Sequence, residues 1–456
     1  GLPSRMIVEW RTSERGEAHR IRGPHCVPAS DFTGRVELTS LPPGQTILYK
    51  VQFEDLANGR TISETTGHFR TPPGLRDIRF LWSGDMCGQG FGIPKGGSIP
   101  IFEEMRRLEP DFFIHSGDTI YADGPIPAEV TAPDGVWRNE VSDDKAKVAE
   151  TLDEFRGAYR YNLLDKNFRE FISSTAQVWQ WDDHEVMNNW SPSKSVLNDA
   201  RYHEKNLPLL VARAGRAFHD YAPLRSPRRV YRKIEYGPLL DLFVLDMRTY
   251  RGPNTANLQK AESAETRYFG AGQFAWLQNA LRSSRAVWKA IACDMPLSVP
   301  VDDENNTRWE AFANNDSGKP LGRELEVARL LRFIKQSGIG NVVWFTADVH
   351  YTSAIFYDPR HAAFTEFDPF WEFISGPLNA GTFKRWAPLD QTFGAQEKYA
   401  NQADQIDRTS RTGLAPSAGK QFFGDVRIEA ASKVMTVSLR DLTGAELHRE
   451  TLVPQG

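Results

Sequence analysis

Cysteine is scarce in this chain. Cys26, Cys87 and Cys293 are the only three in 456 residues, too few and too scattered for a disulfide framework or a thiolate zinc site. Long apolar runs are also missing: none approaches the ~18 residues that a membrane-spanning helix needs. Nor does one sign of charge dominate. With 55 basic against 59 acidic residues and a formal net charge of −4, a strongly electrostatic footprint on a nucleic-acid duplex is not expected, although single nucleotides stay open as ligands. Internal repeats and low-complexity tracts are absent, as is an initiator methionine. The chain opens Gly1-Leu2-Pro3, so the numbering is expected to start after a removed or trimmed leader.

What is present is globular and aromatic-rich, and the length predicts roughly two to three domains. Short β segments at Met6–Trp10, Arg35–Leu38, Ile47–Phe53 and Gly67–Thr71 predict a small N-terminal β-sandwich. Its Leu41-Pro42-Pro43-Gly44 turn and following Tyr49-x-Val51 resemble a fibronectin type III strand. Thr71-Pro72-Pro73-Gly74 marks a boundary, giving residues 1–73 and 74–456 as the two domains. Beyond it, apolar strands alternate with amphipathic helices: Ile78–Ser83, a helix around Ile101–Leu108, Phe112–Ser116, and a helix around Leu152–Asn162. Ala176–Trp181, Leu239–Asp246, Val287–Cys293 and Val342–Ala347 follow. This order predicts an α/β domain with a substantially parallel sheet. The end reads as a hairpin of Gly424–Leu439 and Glu446–Leu452. Two long polar stretches, Gly124–Lys147 and Pro388–Gln421, read as lids or rim loops.

Five polar clusters sit where apolar strands run out: Ser83-Gly84-Asp85-Met86-Cys87, Gly117-Asp118-Thr119-Ile120-Tyr121, Trp181-Asp182-Asp183-His184-Glu185, Cys293-Asp294-Met295 and Ala347-Asp348-Val349-His350. Ligands of open α/β sheets gather at the carboxyl ends of the strands, so these carboxylates and imidazoles are expected to converge on a metal site. Asp118 has two oxygens and could bridge two cations, and Tyr121 could offer a phenolate, a hard donor suited to a trivalent ion. Buried charges must be paired or coordinate metals. Asp348 and His350, spaced i, i+2, are read as sharing one face of an extended segment, a spacing suited to neighbouring oxygen- and nitrogen-accepting cations.

The Gly117-Asp118-Thr119-Ile120-Tyr121 run, Trp181-Asp182-Asp183-His184-Glu185-x-x-Asn188-Asn189-Trp190 and Asp348-Val349-His350 resemble PhoD-like alkaline phosphatases and phosphodiesterases. These are calcineurin-like metallophosphoesterases related to purple acid phosphatases. The resemblance covers essentially the whole chain. It implies a four-layer α/β/β/α catalytic sandwich carrying a small N-terminal fibronectin- or immunoglobulin-like domain, and export to the periplasm or medium. It further implies a dinuclear or larger metal centre, Fe(III) plus Ca(II), with Zn, Mn or Mg as other choices. Asp118 would bridge, Tyr121 and His350 would hold the iron(III)-like ion, and Asp348 with Asn188 or Asn189 would hold calcium or another divalent ion. Some relatives place a cysteine at the end of the first strand; here Asp85 occupies that register and is favoured as the ligand, with Cys87 second. Asp183 would be a further ligand. His184 would touch the phosphate oxygens or else satisfy Asp182, and Asp294 is either a ligand to the second metal or a strand cap.

The expected reaction is hydrolysis of a small phosphate ester, with metal-activated hydroxide attacking phosphorus and His184 stabilising the transition state or protonating the leaving alkoxide. Arg156, Arg160 and Arg248 are candidates for orienting the non-bridging oxygens. The alternative from another class is a secreted calcium-dependent binding protein with a non-catalytic hydrolase-like domain. An all-oxygen calcium site has no use for His184 and His350. A redox iron protein is a further rival, opposed by the number of hard carboxylates.

Overall fold

In the computed structural model, which describes residues 1–225, 229–304, 307–404 and 412–455, the two innermost polar clusters hang from parallel neighbours. Ile78–Ser83 pairs in parallel with Phe112–Ser116, and Phe112–Ser116 pairs in parallel with Ala176–Gln180. The C-terminal strands Phe422–Ile428, Met435–Asp441 and Glu446–Leu452 add antiparallel on the other side of Ile78–Ser83, completing a six-stranded sheet. The single strand expected over 424–439 is therefore two, separated by a turn in which Lys433 takes a φ of 62° and donates to the Glu429 carbonyl.

A second, seven-stranded sheet has four parallel strands at its centre: Leu240–Val244, Trp288–Ala292, Val342–Thr346 and Phe370–Ile374. The last of these had no counterpart in the sequence reading. Side chains of the two sheets meet in one apolar cluster: Phe80, Trp82, Phe112 and Ile114 from the first against Leu242, Ala290, Val343 and Phe345 from the second. The Phe345 ring lies edge-on to Phe80 and Trp82, with centroids 5.4 and 4.8 Å away. Burying each such side chain contributes about 1.5–3 kcal/mol, so this seam fixes how the strand ends face one another.

Helices cover the alternate residues of each strand. Leu81, Phe113 and Trp179 pack with Phe102, Phe155 and Phe171 from helices Pro100–Arg107, Leu152–Asn162 and Lys166–Ser174. Phe243, Ile291 and Trp344 pack with Phe274, Leu277 and Leu331 from Ala271–Ser283 and Glu324–Gln336. Leu152–Asn162 starts where Thr151 and Glu154 form a reciprocal capping box, which satisfies backbone donors that a helix start leaves unpaired. Among the described residues, no helix is long and apolar enough to cross a membrane.

Residues 1–73 form one four-stranded antiparallel sheet, Ser4–Arg11, His19–Cys26, Thr46–Asp55 and Thr61–Arg70, in the order second, first, third, fourth. The expected two-sheet sandwich is not there, and residues 35–38 pair with no strand. Val36 instead lies over Gly23, with its Cγ2 only 2.6 Å from where a Cβ on that glycine would stand. The segment thus crosses a sheet face rather than extending an edge.

The polar stretch Gly124–Lys147 is pinned down, containing a small hairpin of Glu129–Ala132 and Gly135–Arg138. Asn139 in it accepts from Gly92 N and donates to the carbonyls of Gly90 and Pro127. In the second stretch, Ala395–Asn401 is the edge strand of the seven-stranded sheet, while residues 405–411 lie outside the described residues.

Candidate metal centre

The parallel strands of both sheets release their chains toward one place, and the backbone turns sharply as it leaves them. Asp85, Asp118, Asp348 and His350 all have left-handed φ values, 65°, 49°, 67° and 56°. Asp tolerates this region better than most residues because its short side chain hydrogen-bonds locally. Gly117 (φ 96°) could not carry a side chain, because a Cβ there would stand 2.4 Å from Asp182 Cβ. The loops after Phe112–Ser116 and Ala176–Gln180 touch through that glycine. Glu185 binds them together, accepting from Thr119 N and Oγ1 at 2.6 Å and from Asp182 N at 2.7 Å.

Three groups of acids and imidazoles result, each with ligand atoms within 4.8 Å of one another: Asp85, Asp118 and His350; Asp118, Asp183 and His184; Asp182, Asp183 and Asp348. Asp118 belongs to the first two and Asp183 to the last two. Asp85 and Asp118 are each 1% exposed, and neither oxygen of Asp85 has a hydrogen-bond partner. Burial holds the carboxyls of Asp85, Asp118 and Asp348 well above the usual range, and neighbouring Asp182 and Asp183 push them further. Buried carboxylates without donors are costly unless a cation answers them.

The imidazoles are equally prepared. His350 Nδ1 donates to Gly381 O at 2.7 Å, which fixes the tautomer and turns the Nε2 lone pair toward Tyr121 Oη at 2.9 Å and Asp85 Oδ1 at 3.7 Å. Metal-ligating histidines are oriented in this way. A cradle is open beside Asp85 too, since a Cβ on Gly376 would stand 2.3 Å from Asp85 Oδ2. The donor set therefore fits a metal ion between Asp85, Asp118, Tyr121 and His350.

His184 Nδ1 pairs with Asp123 Oδ1 at 2.7 Å, and its backbone N donates to Asp118 Oδ1 at 3.2 Å. Burial alone would lower its pKa, but Asp123 and Asp183 beside it raise it to about 9. Its side chain is 13% exposed, so Nε2 is the atom left for a substrate. Asp123 was missed in the sequence although it stands two residues after Tyr121. It also accepts from Asn188 N at 2.9 Å. Lys145 Nζ donates to the Tyr121 carbonyl, and burial lowers its pKa to about 8.

Several expected residues lie elsewhere. Cys87 is outside the three groups; its thiol packs in the apolar cluster of the first sheet's helices, and burial pushes its pKa up to about 12. Asn188 reaches the site through its backbone, with its residue exposed. Asn189 likewise reaches the site through its backbone N, which donates to Asp183 Oδ2, while its side-chain amide donates to Asp303 Oδ1 at 3.1 Å. Asp294 sits 3.4 Å from Arg248 rather than in any group. Arg156 and Arg160 are not at the site: Arg156 binds Asp220 and the Ala29 carbonyl, and Arg160 binds Asp31, Asp144 and Asp153. Both clamp the N-terminal sheet's flank to the helices. Arg248, also an expected phosphate contact, is fully enclosed, and its partners include Glu310, an acid the sequence reading overlooked.

A family model described as PhoD-like phosphatase matches residues 80–439, and one described as PhoD-like phosphatase, N-terminal domain, matches residues 2–73. The chain belongs to the PhoD-like phosphatase family. Alkaline phosphatase D of Bacillus subtilis (strain 168) is 28% identical over 373 residues, covering 77% of this chain. That match spans 59% of the relative's own length. The solved structure titled "Structure of PhoD" superposes with a TM-score of 0.69 at 19% identity, covering 100% of this chain and 86% of the other. This PhoD-like chain thus shares a mixed α/β fold with an N-terminal β domain.

Proposed function

We propose that this PhoD-like chain is a metal-dependent phosphoric ester hydrolase, an alkaline phosphatase or phosphodiesterase acting on a small-molecule phosphate ester. The observation that carries the reading is the sharing of Asp118 between two ligand groups, the arrangement in which one carboxylate serves two adjacent cations. In this reading residues 74–456 form the catalytic domain, a four-layer α/β/β/α sandwich, residues 1–73 form the N-terminal domain, and the protein works outside the cytoplasm.

Asp85, Asp118, Tyr121 and His350 would hold an iron(III)-like ion, and Asp118 and Asp183 a divalent ion such as calcium. Such ions supply positive charge and lower the pKa of water, which hydrolysis of an anionic ester near neutral pH requires. Asp118 would belong to both sets of ligands. Asp123 keeps His184 charged with Nε2 facing outward, where it donates a hydrogen bond to a phosphate oxygen or a proton to the leaving alkoxide. Glu185 holds the Thr119 and Asp182 backbones so that both groups keep their geometry.

The test is elemental analysis of purified protein together with hydrolysis of nitrophenyl phosphate and its bis ester. Bound metal with turnover that chelation and reloading remove and restore supports the reading. Metal uptake limited to calcium, without turnover of either ester, would make the protein a binding module instead.

A further inference from the structure

The third ligand group differs from the other two because a side chain already stands in it. Arg248 Nη2 contacts Asp182 Oδ1 and lies 3.7 Å from Asp183 Oδ1 and 3.7 Å from Asp348 Oδ1, the three acids of that group. The rest of the guanidinium is committed as well. Nη1 contacts Glu310 Oε1, and Nε is 3.4 Å from Asp294 Oδ2. Arg251 also approaches Glu310 Oε1, at 3.4 Å. The Arg248 side chain is 0% exposed, and a guanidinium stays protonated in proteins.

We infer that Arg248 is a resident cation that takes the place of a third metal ion, so that Asp182 and Asp294 answer the arginine and only the groups built on Asp118 take up metal. This deepens the proposed function and rests on its reading of the cluster as a cation site. Arg248 is a positioning residue: it pairs with Asp182, Asp294 and Glu310 whether or not metal is loaded, and it holds one oxygen each of Asp183 and Asp348. Asp183, which also belongs to a group built on Asp118, is therefore oriented before an ion arrives, whereas Asp348 answers the arginine. A planar five-donor cation can reach several carboxylates at once, whereas removing it would leave uncompensated charge in the interior.

Ion stoichiometry tests this directly. Purified protein is stripped with chelator, reloaded with iron and calcium, desalted, and its bound ions are counted by elemental analysis. Arg248→Met is expected to retain one more divalent ion per chain than wild type. An equal or smaller count in folded Arg248→Met, judged by circular dichroism, overturns the inference. Asp294→Asn covers the case in which the arginine variant does not fold: its count should equal that of wild type, and loss of one ion would show Asp294 to be a metal ligand and refute the assignment. An ion-free wild type would sink the proposed function, while an ion appearing only in Arg248→Met would still uphold the place given to Arg248.

Discussion

Replacing Asp85 by Asn separates a carboxylate kept for a cation from one kept for the fold. The side chain is 1% exposed and neither oxygen has a hydrogen-bond partner. Asn preserves its size and also tolerates the left-handed φ of 65°, so the backbone has no reason to move. Burial, with Asp182 next, raises the Asp85 pKa well above 3.8. A carboxyl raised in this direction contributes stability that is fully present below its unfolded pKa and is lost as pH rises through the folded value. At neutral or alkaline pH the metal-free protein therefore carries a penalty of about 1–3 kcal/mol that the amide relieves. With an unfolding entropy of ~2.1 cal/mol/K per residue over 456 residues, the metal-free variant should melt roughly 1–3 °C higher than wild type. Loaded protein should behave in the opposite way. Loss of even an outer-shell partner costs ~10–100-fold in metal affinity, so loss of a ligand should lower affinity and ester hydrolysis at least ~100-fold. Thermal melts in chelator and in added metal, run beside nitrophenyl ester turnover, read both effects. A lower metal-free melting temperature with unchanged metal uptake would show that Asp85 serves packing, and the argument from its unpaired oxygens would fail.

Asp118→Asn, removing the acid common to two groups, should cut turnover of a nitrophenyl diester at least ~100-fold while leaving circular dichroism unchanged; near-normal turnover would remove its shared role. Arg156→Ala breaks a pair with Asp220 whose side chains are 7% and 9% exposed, and should cost about 3–5 kcal/mol in urea unfolding with KM unaltered. A raised KM at intact stability would return Arg156 to the substrate. His115, which burial pushes down to about 3, is held neutral in the fold. A base lowered in this way gives stability that is present above its unfolded pKa of about 6.5 and lost as pH falls toward the folded value. The loss amounts to about 4–5 kcal/mol in all at 1.36 kcal/mol per unit. His115→Phe should flatten that acid limb in urea titrations between pH 7 and 4, and an unchanged slope would place the acid sensitivity elsewhere.

Strands buried on both faces were the most legible part of the fold. Ile78–Ser83 and Phe112–Ser116 form where their apolar runs predict, since helices on one side and a second sheet on the other leave no polar alternation to blur the signal. Phe370–Ile374 escaped because charged Glu372 sits inside it, and only the structure shows that carboxyl met by Tyr357 Oη, Leu297 N and Thr346 Oγ1. The arginines were the least legible part of the site. Nothing local to Arg156, Arg160 or Arg248 distinguishes a clamp on the N-terminal sheet from a contact inside a ring of acids, because their partners lie up to 129 residues away. Charge type is written in the sequence, but the partner is set by tertiary packing.

The choice between Asp85 and Cys87 shows the same limit at the level of the backbone. On a regular strand, residues two apart point to one face, so both could address the same ion. The strand has ended by then: Asp85 and Cys87 have φ values of 65° and 60° with Met86 between them, and alternation no longer applies. Asp85 turns toward Asp118 and His350, while Cys87 turns into the apolar cluster. Asp348 and His350 repeat the pattern. Both are left-handed, so they do not share a face of an extended segment, and they join different groups, one with Asp182 and Asp183 and the other with Asp85 and Asp118. Left-handed non-glycine backbone costs roughly 1–2 kcal/mol per residue and persists where its surroundings over-determine it. Here those surroundings, for the turns at Asp85 and Asp118, are the touching loops at Gly117 and the Glu185 brace, which hold two acids of one ligand group in place.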